Sequence, residues 1–144
     1  MNAVSFFVPG EVVGKGRPRF TSYGGYAKAF TPAKTTNYEN LVKLSYQEAY
    51  RDSRFPDDAQ LTMEIVAVFP ILKSTSKKNR ALMESGEIAP AKKPDCDNIV
   101  KSICDALNLV AYKDDSQITD LQIVKRYESE DWEIGAYVTI RERE

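Results

Sequence analysis

The chain has 144 residues, 42% of them hydrophobic and 28% charged, with a formal net charge of −1. This length suits one domain, residues 1–144, that buries its own core. The chain contains no histidine, which excludes Ser-His-Asp and Cys-His catalysis, so a hydrolase of this sequence would depend on carboxylates, lysines and a metal ion.

The sequence shows neither a membrane span nor a secretion signal. Its apolar stretches fall short of the ~20 residues that a membrane-spanning helix needs. The N-terminus lacks the basic start and the long apolar run of a signal peptide. We therefore expect a cytoplasmic protein with no membrane partner.

The first half of the chain predicts a strand, a basic hairpin, a helix and a central strand. Alternating apolar residues indicate a strand over 3–13 that is broken near Pro9-Gly10, and residues 14–31 are predicted to form an irregular basic hairpin. Apolar positions at helical spacing predict a helix over 33–53. Residues 60–72 are apolar on both faces, which is typical of a strand inside a sheet.

The second half predicts two further helices followed by two strands. A short basic helix is expected over 75–86, ending at a glycine, and a stronger helix over 97–108. Strands are predicted over 117–127 and 132–141. This order predicts an α+β fold in which helices pack on one face of a small mixed β-sheet.

Acidic residues gather around the start of the stronger helix. Asp97 is predicted to cap this helix, with Asp95 in the loop just before it. Lys101 shares a helical face with Asp97 at the i,i+4 spacing, and the loop after the helix carries Asp114 and Asp115. Mg²⁺ prefers carboxylate, water and phosphate oxygens. The pattern therefore predicts a magnesium site in which a lysine assists at a phosphate.

Each part of this pattern also has an ordinary structural interpretation. Aspartates before a helix commonly cap it, and Asp114-Asp115 followed by serine is a good turn sequence. Lys101 could pair with Asp97 or with Asp105, although the helical wheel turns Asp105 toward solvent. The residues alone leave both interpretations open.

Two groups of basic residues are candidate DNA contacts. Lys15, Arg17 and Arg19 alternate with glycine and proline and precede several aromatic residues. This segment suits either a solvated loop tip or a surface that follows a nucleic-acid backbone and stacks on bases. Lys92 and Lys93 come just before the first aspartate of the acidic group, where they could hold a phosphate near the metal.

Four short motifs in this order resemble the RusA family of Holliday junction resolvases. They are GKGRPRF at 14–20, DCDNIVK at 95–101, CDALN at 104–108 and YKDDSQI at 112–118. The resemblance covers most of the chain. It departs at residues 73–92, a longer segment with a basic helix that compact members of the family lack.

The resemblance implies a Mg²⁺-dependent endodeoxyribonuclease, for which Mn²⁺ can substitute and which needs no small-molecule cofactor. It implies a homodimer that resolves four-way junction DNA by paired symmetric nicks during recombination and repair, often encoded by prophages. Matching positions make Asp95, Asp97 and Asp115 both metal ligands and catalytic residues, and make Lys101 a catalytic residue. Two alternatives stay open: a nuclease for flaps, forks and other branched DNA, and a junction-binding protein that does not cut.

Overall fold

The computed structural model describes residues 1–16, 19–23 and 26–143. It contains six strands, three α-helices and one turn of 3-10 helix in these residues. They are β1 (Ala3–Pro9), β2 (Arg19–Tyr23), β3 (Tyr26–Phe30), α1 (Ala33–Tyr50), β4 (Leu61–Phe69), α2 (Lys77–Ser85), α3 (Cys96–Leu107), the 3-10 turn (Asp115–Gln117), β5 (Ile118–Tyr127) and β6 (Gly135–Glu142).

Four strands form one mixed sheet in the order β1-β6-β4-β5. Strand β4 runs antiparallel to β6 and parallel to β5, while β1 and β6 are antiparallel. A parallel pair needs a crossover connection, and here α2 and α3 supply it. Strand β4 is internal to the sheet, as its two apolar faces predicted, and the predicted α+β class with a mixed sheet is confirmed.

The helices α1 and α3 cover one face of the sheet. Alternate residues of β1, β4 and β6 join inward residues of α1 and α3 in a single apolar cluster. Large members of this cluster include Phe6, Tyr46, Ile65, Ile103 and Ile140. Helix α2 contributes no buried residue. No helix within the described residues has both the length and the apolar character needed to cross a membrane.

The predicted element boundaries are confirmed only in part. Strand β1 ends at the predicted break, because Pro9 has no N–H for the ladder and Gly10 then takes a φ of 88°. The predicted ends of α1 and β4 and the predicted start of β6 were each wrong by three residues. The N-cap residue of α3 is Asp95 rather than Asp97, and its side chain makes no capping hydrogen bond. The first helical hydrogen bond of α3 runs from Ile99 N–H to the Asp95 carbonyl at 3.0 Å. Asp97 therefore lies inside the first turn, where the helix dipole favours a carboxylate.

Candidate active site

An open cleft between α3 and the edge strand β5 holds three of the four predicted catalytic residues. Asp97 and Lys101 lie one turn apart on α3, and Asp115 opens the 3-10 turn that leads into β5. The i,i+4 spacing predicted this shared helical face, and the geometry confirms it. The remaining lining is mostly apolar: Cys96, Val100, Cys104, Ile118, Thr119, Leu121 and Ile123. We call this the α3–β5 cleft.

Asp95 lines a second cleft, together with Lys93, Asn98 and the segment 11–16. Asp95 and Asp97 are two positions apart at the start of a helix, and side chains at that spacing do not point the same way. The two predicted metal ligands therefore line neighbouring clefts on either side of the start of α3.

A network of four charged side chains reaches the α3–β5 cleft through Lys101. The Lys15 Nζ lies 2.7 Å from Glu39 Oε2 and 3.1 Å from Asp105 Oδ2, and the Lys101 Nζ lies 3.4 Å from that same Asp105 oxygen. Asp105 was predicted to point toward solvent, which is wrong, because its side chain is only 23% exposed. Lys101 therefore pairs with Asp105, one of the two partners that the sequence left open.

The segment around Lys15 joins the start of α3 to the start of α1 through hydrogen bonds from its backbone. The Lys15 N–H donates to the carbonyl of Asn98 in α3 at 2.8 Å, and the Gly16 N–H donates to Thr35 Oγ1 in α1 at 2.9 Å. A Cβ on Gly14 would lie only 3.1 Å from the Cβ of Asn98. The glycines therefore permit a close approach, and the motif serves here to hold two helices together.

The ammonium of Lys15 is engaged by carboxylates instead of projecting into solvent. Burial acts to lower the pKa of Lys15, but the hydrogen bonds and charges of Glu39 and Asp105 outweigh it and raise this pKa above its ordinary value. Lys15 consequently stays charged at neutral pH. Of the other predicted DNA contacts in this segment, Arg17 and the side chain of Arg19 lie outside the described residues.

Lys92 and Lys93 are both exposed. The Lys92 Nζ lies 5.9 Å from the ring centroid of Tyr127, and its carbonyl accepts a hydrogen bond from the ammonium of Lys125 in β5. Lys93 lines the second cleft beside Asp95. The predicted pair therefore lies along the outer edge of β5 and at the mouth of the second cleft.

The backbone of Asp115 is held in place by the residue that ends α3. The Asp115 N–H donates to Asn108 Oδ1 at 2.9 Å. Sequence reasoning gave Asn108 no role, although the residue is part of the quoted CDALN motif. Because this acceptor at the end of α3 holds the first residue of the next element, Asn108 fixes the backbone of Asp115 beside α3.

The rest of the Asp114–Gln117 turn is anchored by its own side chains. Asp114 Oδ2 accepts from the Ser116 N–H at 3.0 Å, and Gln117 Oε1 accepts from the Asp114 N–H at 3.2 Å, which forms a capping box. The Gln117 amide also donates to the carbonyls of Pro56 and Ala59, each at 3.0 Å. Asp114 is thus a capping residue, and Gln117 ties the turn to the loop before β4.

The two neighbouring aspartates differ in their electrostatics. Burial, the charge of Asp114 and the charge of Asp105 together raise the pKa of Asp115, and Lys101 opposes them. Hydrogen bonds from Ser116 lower the pKa of Asp114. The charged form of Asp115 is therefore destabilised by burial and by nearby negative charges, and a bound cation would offset this effect. The charged form of Asp114 is already stabilised by its hydrogen bonds.

These carboxylates suit a divalent cation that retains other ligands. Among the described residues, no three His, Cys, Asp or Glu side chains come close enough to form a metal site by themselves. Mg²⁺ commonly uses one or two carboxylates and completes its shell with water and substrate phosphate. Asp97 and Asp115, which line one cleft, fit that requirement. The negative charges that raise the pKa of Asp115 also favour a cation beside it.

The role of Asn108 can be tested by truncation. If the cleft is catalytic, we expect Asn108→Ala to lower the single-turnover rate about tenfold and to raise the metal concentration needed for half-maximal activity, as removal of outer-shell support typically does. Asn108→Asp keeps an acceptor for the Asp115 N–H and should retain more activity. Asn40→Ala, on the exposed side of α1, is the control. Equal rates for Asn108→Ala and the control would show that this hydrogen bond does not position Asp115.

The whole of this arrangement lies in a region that matches known proteins. A family model described as "Endodeoxyribonuclease RusA" matches residues 9–141. The chain is also 35% identical over 130 residues to "Uncharacterized protein YqaN" of Bacillus subtilis (strain 168). That alignment covers 90% of this chain and 92% of the relative. The resemblance drawn from the four motifs is confirmed.

Proposed function

Because this chain belongs to the RusA family of endodeoxyribonucleases, hydrolases that act on DNA, we propose that it resolves four-way DNA junctions with the help of a divalent metal ion. The observation that carries the proposal is the α3–β5 cleft, which Asp97, Lys101 and Asp115 line together from two elements. Carboxylates near a phosphate are unfavourable unless a cation lies between them. Their clustering beside a lysine is therefore what a metal-dependent phosphodiesterase needs.

Asp97 and Asp115 would hold the ion, and Asp95 would approach it, or the phosphate it binds, from the second cleft. We propose Mg²⁺, for which Mn²⁺ can substitute. When bound, such an ion activates a water molecule and neutralises charge on the departing 3′-oxygen, which leaves a 5′-phosphate. The protein supplies the carboxylates and the Asn108 hydrogen bond that fixes the backbone of Asp115.

Lys101 would donate hydrogen bonds to a non-bridging oxygen of the scissile phosphate. Its side chain is 62% exposed, so its ammonium can leave Asp105 for a substrate without breaking a buried contact. Lys15, which also pairs with Glu39, holds Asp105 in place from the other side. In this proposal Asp105 aims the lysine and does not bind the metal.

A homodimer of two such 1–144 nuclease domains would explain the paired cuts that resolution requires. A four-way junction must be nicked at two symmetric positions, and a two-fold dimer presents two identical clefts. DNA recombination and repair are the processes that such an enzyme would serve. The partners are then four-way junction DNA and a second copy of the chain.

One cleavage experiment separates this function from its alternatives. Labelled four-way, flap and linear duplex DNA are incubated with the protein in Mg²⁺, Mn²⁺ or EDTA, and the cut sites are mapped. Symmetric paired nicks on the four-way junction that EDTA abolishes would support resolution. Cutting of flaps and forks at similar rates would instead support a broader branched-DNA nuclease. Binding without any cut would identify a junction-binding protein and overturn the proposal.

A further inference from the structure

Helix α2 and its flanking residues carry basic side chains that the core does not use. Between residues 73 and 93 there are six Lys and Arg residues and two Glu residues. Five of the six bases are exposed: Lys73, Lys77, Lys78, Lys92 and Lys93. Within the described residues none of these five forms an ion pair. We call these five lysines the α2 surface.

The stability of α2 does not explain its composition. The helix buries none of its residues, so it contributes little apolar burial to folding. Lys77 and Lys78 occupy its first turn, where the helix dipole disfavours positive charge, and no acidic residue lies there to compensate. Residues that lower the stability of a helix and make no compensating structural contact are typical of a functional surface.

The segment is nevertheless held firmly against the edge strand β5. The Arg126 side chain of β5 donates to the carbonyl of Glu84 in α2 at 2.9 Å, and Lys125 donates to the carbonyl of Lys92. Ser76 caps the start of α2 by accepting from the Asn79 N–H at 3.2 Å. The lysines are therefore presented from a defined position beside β5.

Strand β5 links this position to the α3–β5 cleft. Ile123 lines the cleft and Arg126 holds α2, and three residues of strand span ~10 Å. The segment then returns through Lys93 to the second cleft, which Asp95 also lines. The C-terminal end of α2 and Lys92 thus lie beside the strand that also lines the α3–β5 cleft.

We propose that the α2 surface binds the phosphate backbone of a duplex arm next to the cut site. Positive charge without acidic partners suits a polyanion, and flexible lysine side chains suit contacts that do not depend on base sequence. This inference rests on the proposed function, because it takes the bound DNA to enter the α3–β5 cleft. It adds a contact that lies outside the catalytic residues and acts on binding alone.

The test compares Lys77→Gln/Lys78→Gln with the charge-matched control Lys43→Gln/Arg141→Gln, whose exposed bases lie on α1 and β6. Binding to four-way junctions with arms of about 20 base pairs is measured in EDTA over a range of salt concentrations, for two junctions that differ in arm sequence. We expect the α2 variant to bind both junctions roughly tenfold more weakly and to lower the salt slope by about 1 to 2, as loss of one or two phosphate contacts predicts. The control should change little on either junction.

Cleavage at saturating enzyme distinguishes this proposal from the function on which it rests. The α2 variant should cut as fast as the unmodified protein once bound, since it retains every residue of the cleft. Equal loss of binding by the α2 variant and the control, or a loss confined to one arm sequence, would overturn the role of the α2 surface. Failure of the unmodified protein to cut any junction, with the binding differences intact, would overturn the proposed function alone.

Discussion

Asp115→Asn is expected to reduce junction cleavage by at least about a thousandfold while leaving junction binding intact or tighter. The amide keeps the size of the side chain and the Asn108 hydrogen bond to its backbone. It removes the negative charge that would hold a hard cation. Without that charge the ion neither activates water nor stabilises the leaving oxygen, and losses of this size follow removal of a charge that acts in the transition state. Binding should not fall, because a charge that repels phosphate is removed.

The neighbouring aspartate supplies a matched control. Asp114→Asn makes the same chemical change one residue away, but Asp114 caps the 3-10 turn, and asparagine caps as well as aspartate. We expect less than about a threefold change in rate. Both variants are compared by single-turnover cleavage in Mg²⁺ and by junction binding in EDTA. If Asp115→Asn cleaves at the unmodified rate, or if both variants lose the same amount of cleavage activity, Asp115 is not a catalytic residue. Asp97→Asn should behave like Asp115→Asn.

Lys15→Gln is expected to lower the cleavage rate by about thirtyfold to a hundredfold and to destabilise the fold by about 2 kcal/mol. The side chain of Lys15 is 18% exposed and neutralises Glu39 and Asp105, whose side chains are only 20% and 23% exposed. Its loss would leave two partly buried carboxylates close together. Asp105 would then shift, and the ammonium of Lys101, 3.4 Å from it, would lose its orientation.

Two further measurements separate this positioning role from a direct contact with DNA. A positioning role leaves the junction dissociation constant and its salt slope unchanged, whereas loss of a phosphate contact would weaken binding and lower the slope by about 1. In a double-mutant cycle, Lys15→Gln should lower the cleavage rate much less in an Asp105→Asn background, because the negative charge that Lys15 balances is already absent. If the losses of cleavage rate in that cycle are additive and the salt slope is lower, Lys15 contacts DNA directly and the positioning role is wrong.

The sequence by itself determined the elements and the chemical class of the site. Period-two and helical patterns predicted β4 as an internal strand and α3 as an amphipathic helix, because these patterns follow from which side of each element is buried. The same periodicity placed Asp97 and Lys101 on one face. The absence of histidine limited the catalytic chemistry to carboxylates, lysines and metal, and the spacing of four motifs indicated the family.

Only the tertiary structure decided which of these charged residues meet. Lys15 and Asp105 are far apart in the chain, and they pair because glycines let the 14–16 segment approach α3 closely. Asp95 and Asp97 are separated by a single residue, and they line different clefts because a helix begins between them. Periodicity reports burial within one element, whereas contacts between elements depend on packing and on loop conformation. The sequence therefore indicated which carboxylates lie near α3, but only the fold shows which side chains each of them contacts.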